Sequence, residues 1–299
     1  MKRERFPIFL LIFILFSSHI HSQKVNYNPI DQEELATILK NCAEYCERLG
    51  NSVLDFVCQE KITEEIHHYG WWTRPEKFEV AGGEIAVVGR NYSREDNVYV
   101  YDYQLIRKDN TVTERRILLR ENNNKKNVKD AQLKTKRFKH KHLVFGPIGL
   151  LSEFWQQYYD YKVINKEKFR GDRVIVIEAT PMPHMQTDNL YGKIWVKEDD
   201  FSILKIEWVP KSLKNYEIIE EEAKKLDAKP EIKFYAEYTF EKNGIRFPSK
   251  YYITEDFNFE KTYRFRRRKK YARSSTTVVY KDYKFFTVET EVSSLKEKK

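Results

Sequence analysis

One stretch constrains the fold more than any other: Tyr191 to Pro210, YGKIWVKEDDFSILKIEWVP. Ile194 and Val196 share one side-chain parity on the first arm, as do Leu204, Ile206 and Trp208 on the second, whereas Lys193, Trp195, Lys197, Lys205 and Glu207 point the other way. A period of two is the mark of a strand with one buried face. The polar run Glu198 to Asp200 supplies the turn. Placing Ile194 opposite Ile206 sets Lys193 opposite Glu207, so a single register buries an apolar face and pairs opposite charges.

A second hairpin is set by Asn243-Gly244, the strongest short-range hairpin signal. A two-residue loop there predicts the pairs Lys242 with Ile245, Glu241 with Arg246 and Phe240 with Phe247, then Glu237 with Lys250 and Phe234 with Ile253. Upstream, RVIVIEAT (Arg173 to Thr180) reads as a strand. Further strands are expected at Lys61 to His67, Glu76 to Val80, Glu84 to Val88, Asn97 to Ile106 and Val112 to Leu119. Gly82-Gly83 and Asp109-Asn110 stand where turns are needed, and Trp71-Trp72 beside Pro75 reads as a loop packed on the sheet, with a ligand-contacting loop as the alternative. The last strands are placed at Thr262 to Phe265 and Thr276 to Glu289, separated by the basic run Arg266 to Lys270. With 20 Tyr and 19 Phe against 10 Gly, the composition suits a β-rich chain.

Helical spacing appears first in Leu35, Ile38, Leu39, Cys42, Cys46 and Leu49, stopped by Gly50-Asn51. This predicts an amphipathic helix, followed by a strand whose Phe56, Cys58, Glu60 and Ile62 share a face. A short helix opened by Phe145, Gly146 and Pro147 is predicted through Tyr158, and an amphipathic excursion from Lys214 to Leu226. Between strands and short helix, 121–142 holds no apolar periodicity and reads as a mobile loop ending in the basic run Lys134 to His142.

Met1 to Ser22 has a basic start (Lys2, Arg3, Arg5), an apolar run and a small-residue end, the pattern of a cleaved export signal. Its apolar run is shorter than the roughly 20 residues that span a bilayer. Removing it takes the formal charge from +9 to +7, since it carries three basic residues and Glu4. A basic exported chain favours anionic membrane surfaces over nucleic acid as a partner. Three cysteines in an oxidising compartment imply one bridge, Cys46 or Cys42 with Cys58; three buried free thiols and a metal site are the alternatives. No linker divides 23–299, which reads as a single domain.

Catalytic signatures are absent from the sequence: no G-x-S-x-G, H-E-x-x-H, Walker loop or C-x-x-C occurs. His67-His68 and His140 with His142 read as solvated or strand-facing histidines, and Asp199-Asp200 as turn residues. No catalytic site, metal or cofactor is expected.

An amphipathic N-terminal helix followed by a long antiparallel meander resembles the periplasmic lipoprotein carriers of the LolA and LolB type, whose architecture envelope stress sensor domains share. The segments that carry the likeness are VIVIEATP, YGKIWVKEDDFSILKIEW and YTFEKNGIRFPSKY. The resemblance implies an unclosed, curved antiparallel half-barrel wrapped around the N-terminal helix and one or two short plug helices, with an apolar concave face for acyl chains. Joined to the hairpin faces, it nominates Ile194, Val196, Leu204, Ile206, Trp208, Phe234, Phe240, Phe247 and Ile253 as the lining. The expected function is non-enzymatic, periplasmic holding of a lipid or acylated protein. The alternative is an envelope scaffold or stress-sensor module that binds a protein partner over a solid core.

Overall fold

The computed structural model describes residues 32–52, 55–78, 83–108, 111–137, 143–183, 190–213, 217–263 and 266–286. The expected export signal and the chain beyond Phe286 lie outside them. Thirteen strands are present among these residues: β1 (Asp55–Phe78), β2 (Gly83–Lys108), β3 (Thr111–Glu121), β4 (Asn124–Val128), β5 (Tyr159–Phe169), β6 (Asp172–Pro181), β7 (Gly192–Lys197), β8 (Ile203–Trp208), β9 (Pro230–Glu237), β10 (Phe240–Lys242), β11 (Ile245–Phe247), β12 (Lys250–Tyr263) and β13 (Arg266–Phe286). Eleven of them form one curved antiparallel sheet in the order β4-β3-β2-β1-β13-β12-β9-β8-β7-β6-β5. The edge strands β4 and β5 do not pair, so the sheet is an unclosed half-barrel. β10 and β11 make a separate two-stranded ribbon.

The expected registers hold. Ile194 faces Ile206 and Lys193 faces Glu207; Phe240 faces Phe247, Glu241 faces Arg246, Glu237 faces Lys250 and Phe234 faces Ile253. One residue departs from the expected parity. Trp195 pairs with Lys205 but Val196 pairs with Ile203, so Leu204 is the extra residue of a β-bulge. The bulge turns Ile203 onto the Val196 side and leaves Leu204 in a small cluster on the opposite face, with Val174, Val176 and Trp195.

Three other expectations are corrected. Trp71, Trp72 and Pro75 belong to β1, not to a loop, because pairing with β2 runs from Phe56↔Leu105 to Phe78↔Gly83 without a break. β13 ends its pairing with β1 at Tyr69, so the missing N–H of Pro75 meets no third strand. The basic run Arg266 to Lys270 is likewise strand, since Tyr263 pairs with Arg266 and the connection is confined to the two residues between. Within 121–142, β4 pairs back onto β3 and the chain beyond it is fastened to the sheet, as described below.

Four α-helices accompany the sheet among the described residues: α1 (Gln32–Ser52), α2 (Ile148–Leu151), α3 (Glu153–Gln156) and α4 (Glu217–Leu226). None of them is long and apolar enough to cross a membrane. The α1 stripe Ile38, Cys42, Tyr45, Cys46 and Leu49 is buried against the concave face. The Tyr45 hydroxyl accepts the N–H of Arg246 on β11 at 3.1 Å, which pins the helix to the ribbon.

All three cysteines are buried and free, so the expected bridge does not form in this structure. Their neighbours explain this. Cys46 donates to the carbonyl of Pro147 at 3.5 Å, ahead of α2, whereas Cys58 is hydrogen-bonded to Tyr283 of β13. Burial pushes the Cys42 thiol up to about 12 and raises Cys46 and Cys58 as well.

The thiolate fraction of Cys42 at neutral pH is smaller than that of a free thiol by about three orders of magnitude. A thiol reagent is therefore expected to find no reactive cysteine in the native protein and three after denaturation; a disulfide would leave one. Gly192 stands where an added Cβ would lie 2.1 Å from the Glu207 carbonyl and 2.8 Å from the Trp208 Cα. Gly192→Ala is expected to cost at least about 1–3 kcal/mol in urea unfolding, because backbone must move to admit it.

Candidate functional site

The concave face has two halves with different chemistry, and each is covered differently. In the apolar half, Ile194, Val196, Ile206, Trp208, Phe234, Phe247 and Ile253 sit in one core cluster, with Phe240 packed partly buried against it. Trp208 stacks on Phe234 at 4.4 Å between centroids, and Tyr251 meets Phe234 edge-on at 4.8 Å. The same cluster includes the buried stripe of α1 together with Leu150 and Leu151 of α2. These eight nominated positions are thus brought together under helical cover, and Leu204 is not among them.

Open space lies on the far side of that cover. A groove of about 820 Å³ runs between α1 and the α2–α3 segment, with Ala36, Leu39, Ala43, Ile148 and Phe154 supplying its apolar surface. Lys40, Glu44 and Glu47 line it as well, and Cys46 connects it to the core. Phe154, at the groove's edge, is 59% exposed, the highest value among the large hydrophobic side chains described. The joint that shapes the groove is one side chain: Gln156 Nε2 donates to the carbonyls of Leu39 on α1 and Leu151 on α2, each at 2.7 Å. Ser152, extended at ψ 152°, separates the two short helices where one continuous helix was expected.

The other half is polar. Glu60, Glu64 and Glu255 project onto it with 0%, 0% and 1% exposure. A buried carboxylate must find donors. Glu60 receives Arg116 Nε at 2.7 Å, Arg116 Nη2 at 3.1 Å and the Tyr280 hydroxyl at 3.1 Å. Burial alone would lower the Arg116 pKa, but the adjacent Glu60 carboxylate overrides it and holds the guanidinium protonated. Glu64 accepts the backbone N–H groups of Lys136 and Arg137 at 3.1 and 2.7 Å. The Lys134 N–H donates to the Tyr101 hydroxyl at 3.2 Å.

The stretch 129–137 therefore lies across the polar half as a strap, which is why its sequence needs no apolar periodicity. Arg137 fastens its end, pairing with Glu255 of β12 and with Glu222 of α4 at 3.6 Å. Burial pushes the Glu255 carboxyl up, against the opposing pull of Arg137. A small cavity of about 190 Å³ remains where the strap, α4 and the sheet meet, over Ile66 and Phe257.

On the outer face, Glu65, His67 and Asp96 bring ligand-type atoms within 4.8 Å of one another. Arg94 already grips Asp96 at 2.7 and 2.9 Å, and the Tyr92 hydroxyl holds His67 Nδ1 at 3.0 Å. His140 and His142 lie outside the described residues.

Sequence reading missed the strap and its anchors. The usable signal was Glu60 and Glu64 standing on the parity of Phe56, Ile62 and Ile66, since a charge repeated on a buried stripe announces a fixed partner.

No family model matches the chain, and no curated protein matches it. Solved structures do. A domain provisionally named an outer membrane lipoprotein-sorting protein, from Vibrio parahaemolyticus, is 13% identical, with 85% of this chain and 94% of that one covered and a TM-score of 0.34. A DUF1329 family protein from Desulfovibrio piger is 12% identical over 84% of this chain and 94% of its own, with a TM-score of 0.30. A LolA superfamily protein from Nitrosomonas europaea is 11% identical over the same shares, with a TM-score of 0.31.

Proposed function

We propose that this chain is a non-enzymatic binding protein that holds a lipid or lipid-modified ligand at the helix-covered, apolar half of its half-barrel. The observation that carries the reading is the groove of about 820 Å³ between α1 and the α2–α3 segment. Its size falls in the range of small-molecule pockets, roughly 300–1,000 Å³, and it has an apolar floor with polar groups along it. An acyl chain laid along Leu39, Ala43 and Ile148 would bury Phe154 as well, and a charged or polar end would meet Lys40, Glu44 or Glu47. Chemistry of bond cleavage is not needed for such a role. The basic and then apolar N-terminus supports export, with 23–299 as one periplasmic domain after removal of 1–22.

Deeper binding in this reading displaces α2 and α3 from the sheet. Both are one-turn helices, and neither has a side-chain cap. Helices this short draw their stability from packing, not from propensity. A ligand that replaces the apolar contacts Leu150 and Leu151 make in the core cluster would therefore meet little intrinsic resistance.

Native mass spectrometry of the purified protein, followed by organic extraction, is expected to find copurifying lipid, and a fluorescent fatty-acyl probe is expected to bind. Ala43→Trp fills the groove and displaces at least two methylenes at about 0.8 kcal/mol each, so probe affinity should fall roughly tenfold or more. A protein that carries no lipid, and whose probe binding is absent or unchanged by Ala43→Trp, overturns the proposal and leaves the sheet as a scaffold.

A further inference from the structure

At one end of the sheet two hairpins continue past the strands that support them. β1 and β13 pair antiparallel up to Tyr69↔Tyr271, so the β1–β2 connection and the β12–β13 connection lie at the same end. Beyond Tyr69, β1 pairs with β2 alone as far as Phe78↔Gly83. Beyond Phe257↔Pro230, β12 has only β13 as a neighbour, as far as Tyr263↔Arg266. Two-stranded ribbons of this kind are marginal by themselves.

The β12–β13 ribbon departs from the charge pattern of the central strands. There, Lys193 faces Glu207, Lys205 faces Glu237 and Glu237 faces Lys250, and the like-charge pair Glu231↔Asp256 is answered by Arg273 of β13, which holds Asp256 at 2.5 Å. In the ribbon, Lys261 faces Arg268, a like-charge pair, and Glu260↔Lys269 is the one match. Arg266, Arg267 and Lys270 stand opposite Tyr263, Thr262 and Phe259. Six basic positions thus share the described ribbon with a single acid. Like charges placed opposite one another destabilise a sheet, and an anionic surface would relieve that cost.

At the base of the ribbons lies a row of aromatic side chains on the outer face. Tyr69 is paired with Tyr92 on one side and Tyr271 on the other. Tyr69 and Tyr271 stack at 5.3 Å, yet Tyr271 is 38% exposed and Tyr92 is 54% exposed. Tyrosine and tryptophan are the residues that favour the boundary between water and lipid.

We infer that this end of the sheet docks on an anionic phospholipid bilayer, with the β12–β13 ribbon supplying the electrostatic attraction and the tyrosine row seating at the headgroup level. A basic ribbon alone would fit any polyanion; the exposed aromatic row beside it favours the lipid surface. The inference does not depend on the groove, and a chain that carries no lipid inside could still dock in this way.

The test is flotation of the full chain with vesicles of phosphatidylcholine, with and without phosphatidylglycerol. Tighter binding to the anionic vesicles, weakened by added salt, is expected. Each basic residue near a charged surface contributes about a fivefold factor, so the triple variant Arg266→Gln, Arg267→Gln, Arg268→Gln should bind roughly 100-fold more weakly. The N-terminal segment is common to both proteins, so the difference reads the ribbon. Tyr69→Ser with Tyr271→Ser should weaken binding severalfold without changing its salt dependence. Unchanged circular dichroism and melting of the variants would show that the sheet is intact. Equal binding of variant and parent to anionic vesicles overturns the inference. So does tighter binding to a single-stranded oligonucleotide than to the vesicles, which would make the ribbon a nucleic-acid surface.

Discussion

Three carboxylates with almost no exposure, Glu60, Glu64 and Glu255, set the terms on which this sheet can remain open. A sheet that does not close must cover its concave face with something else, and an apolar cover would leave these groups without donors at a cost of several kcal/mol each. The cover over them is accordingly polar. Arg116 of β3 reaches across to Glu60, and the strap lends two backbone N–H groups to Glu64 and a guanidinium to Glu255. The other half of the face, where the residues are Ile206, Trp208, Phe234 and Ile253, is covered by α1 and α2, while α4 meets the strap through Glu222.

The two covers differ in how they hold. The strap is fastened by charge-assisted hydrogen bonds in a buried setting, which are strong and directional. The α2–α3 segment rests on apolar contacts plus the paired bonds of Gln156 and the hydroxyl of Tyr161 on the Leu150 carbonyl. Apolar contacts do not discriminate between a leucine and an acyl chain. This asymmetry is what assigns ligand exchange to the helical half in the proposed function, with the polar half serving as the fixed frame.

Much of the fold was legible because strand pairing here is overdetermined. At Ile194↔Ile206 and Lys193↔Glu207, apolar parity and charge agree on one register, and Asn243-Gly244 sets the next hairpin without ambiguity. What was not legible depends on non-local events. A bulge at Leu204 flips one residue of an otherwise regular stripe, and no local pattern announces it. The strap looks like a loop because its partners, Glu64 and Glu255, are distant in sequence and its own backbone supplies the bonds to Glu64. The candidate lining was read from strand parity joined to a family resemblance, and parity identifies a buried face without saying whether protein or ligand covers it.

Charge pairing separates the two ends of the sheet in the same way that polarity separates the two halves of its concave face. Where strands β7, β8, β9 and β12 meet, lysines and glutamates alternate across the ladder, and Lys205 also lies 4.1 Å from the Trp195 ring and 5.0 Å from that of Tyr235. Lys250 is likewise held over the rings of Tyr235 and Tyr252. Past Phe257, the pairing of β12 with β13 continues while the opposite-charge matches fall to Glu260↔Lys269 alone. A ribbon supported on one side only gains little from its own opposed cations, so their placement serves something outside the chain in the inference above. A run of arginines and lysines set on such a frame keeps its charges at strand spacing, and an extended anionic surface can answer several of them at once.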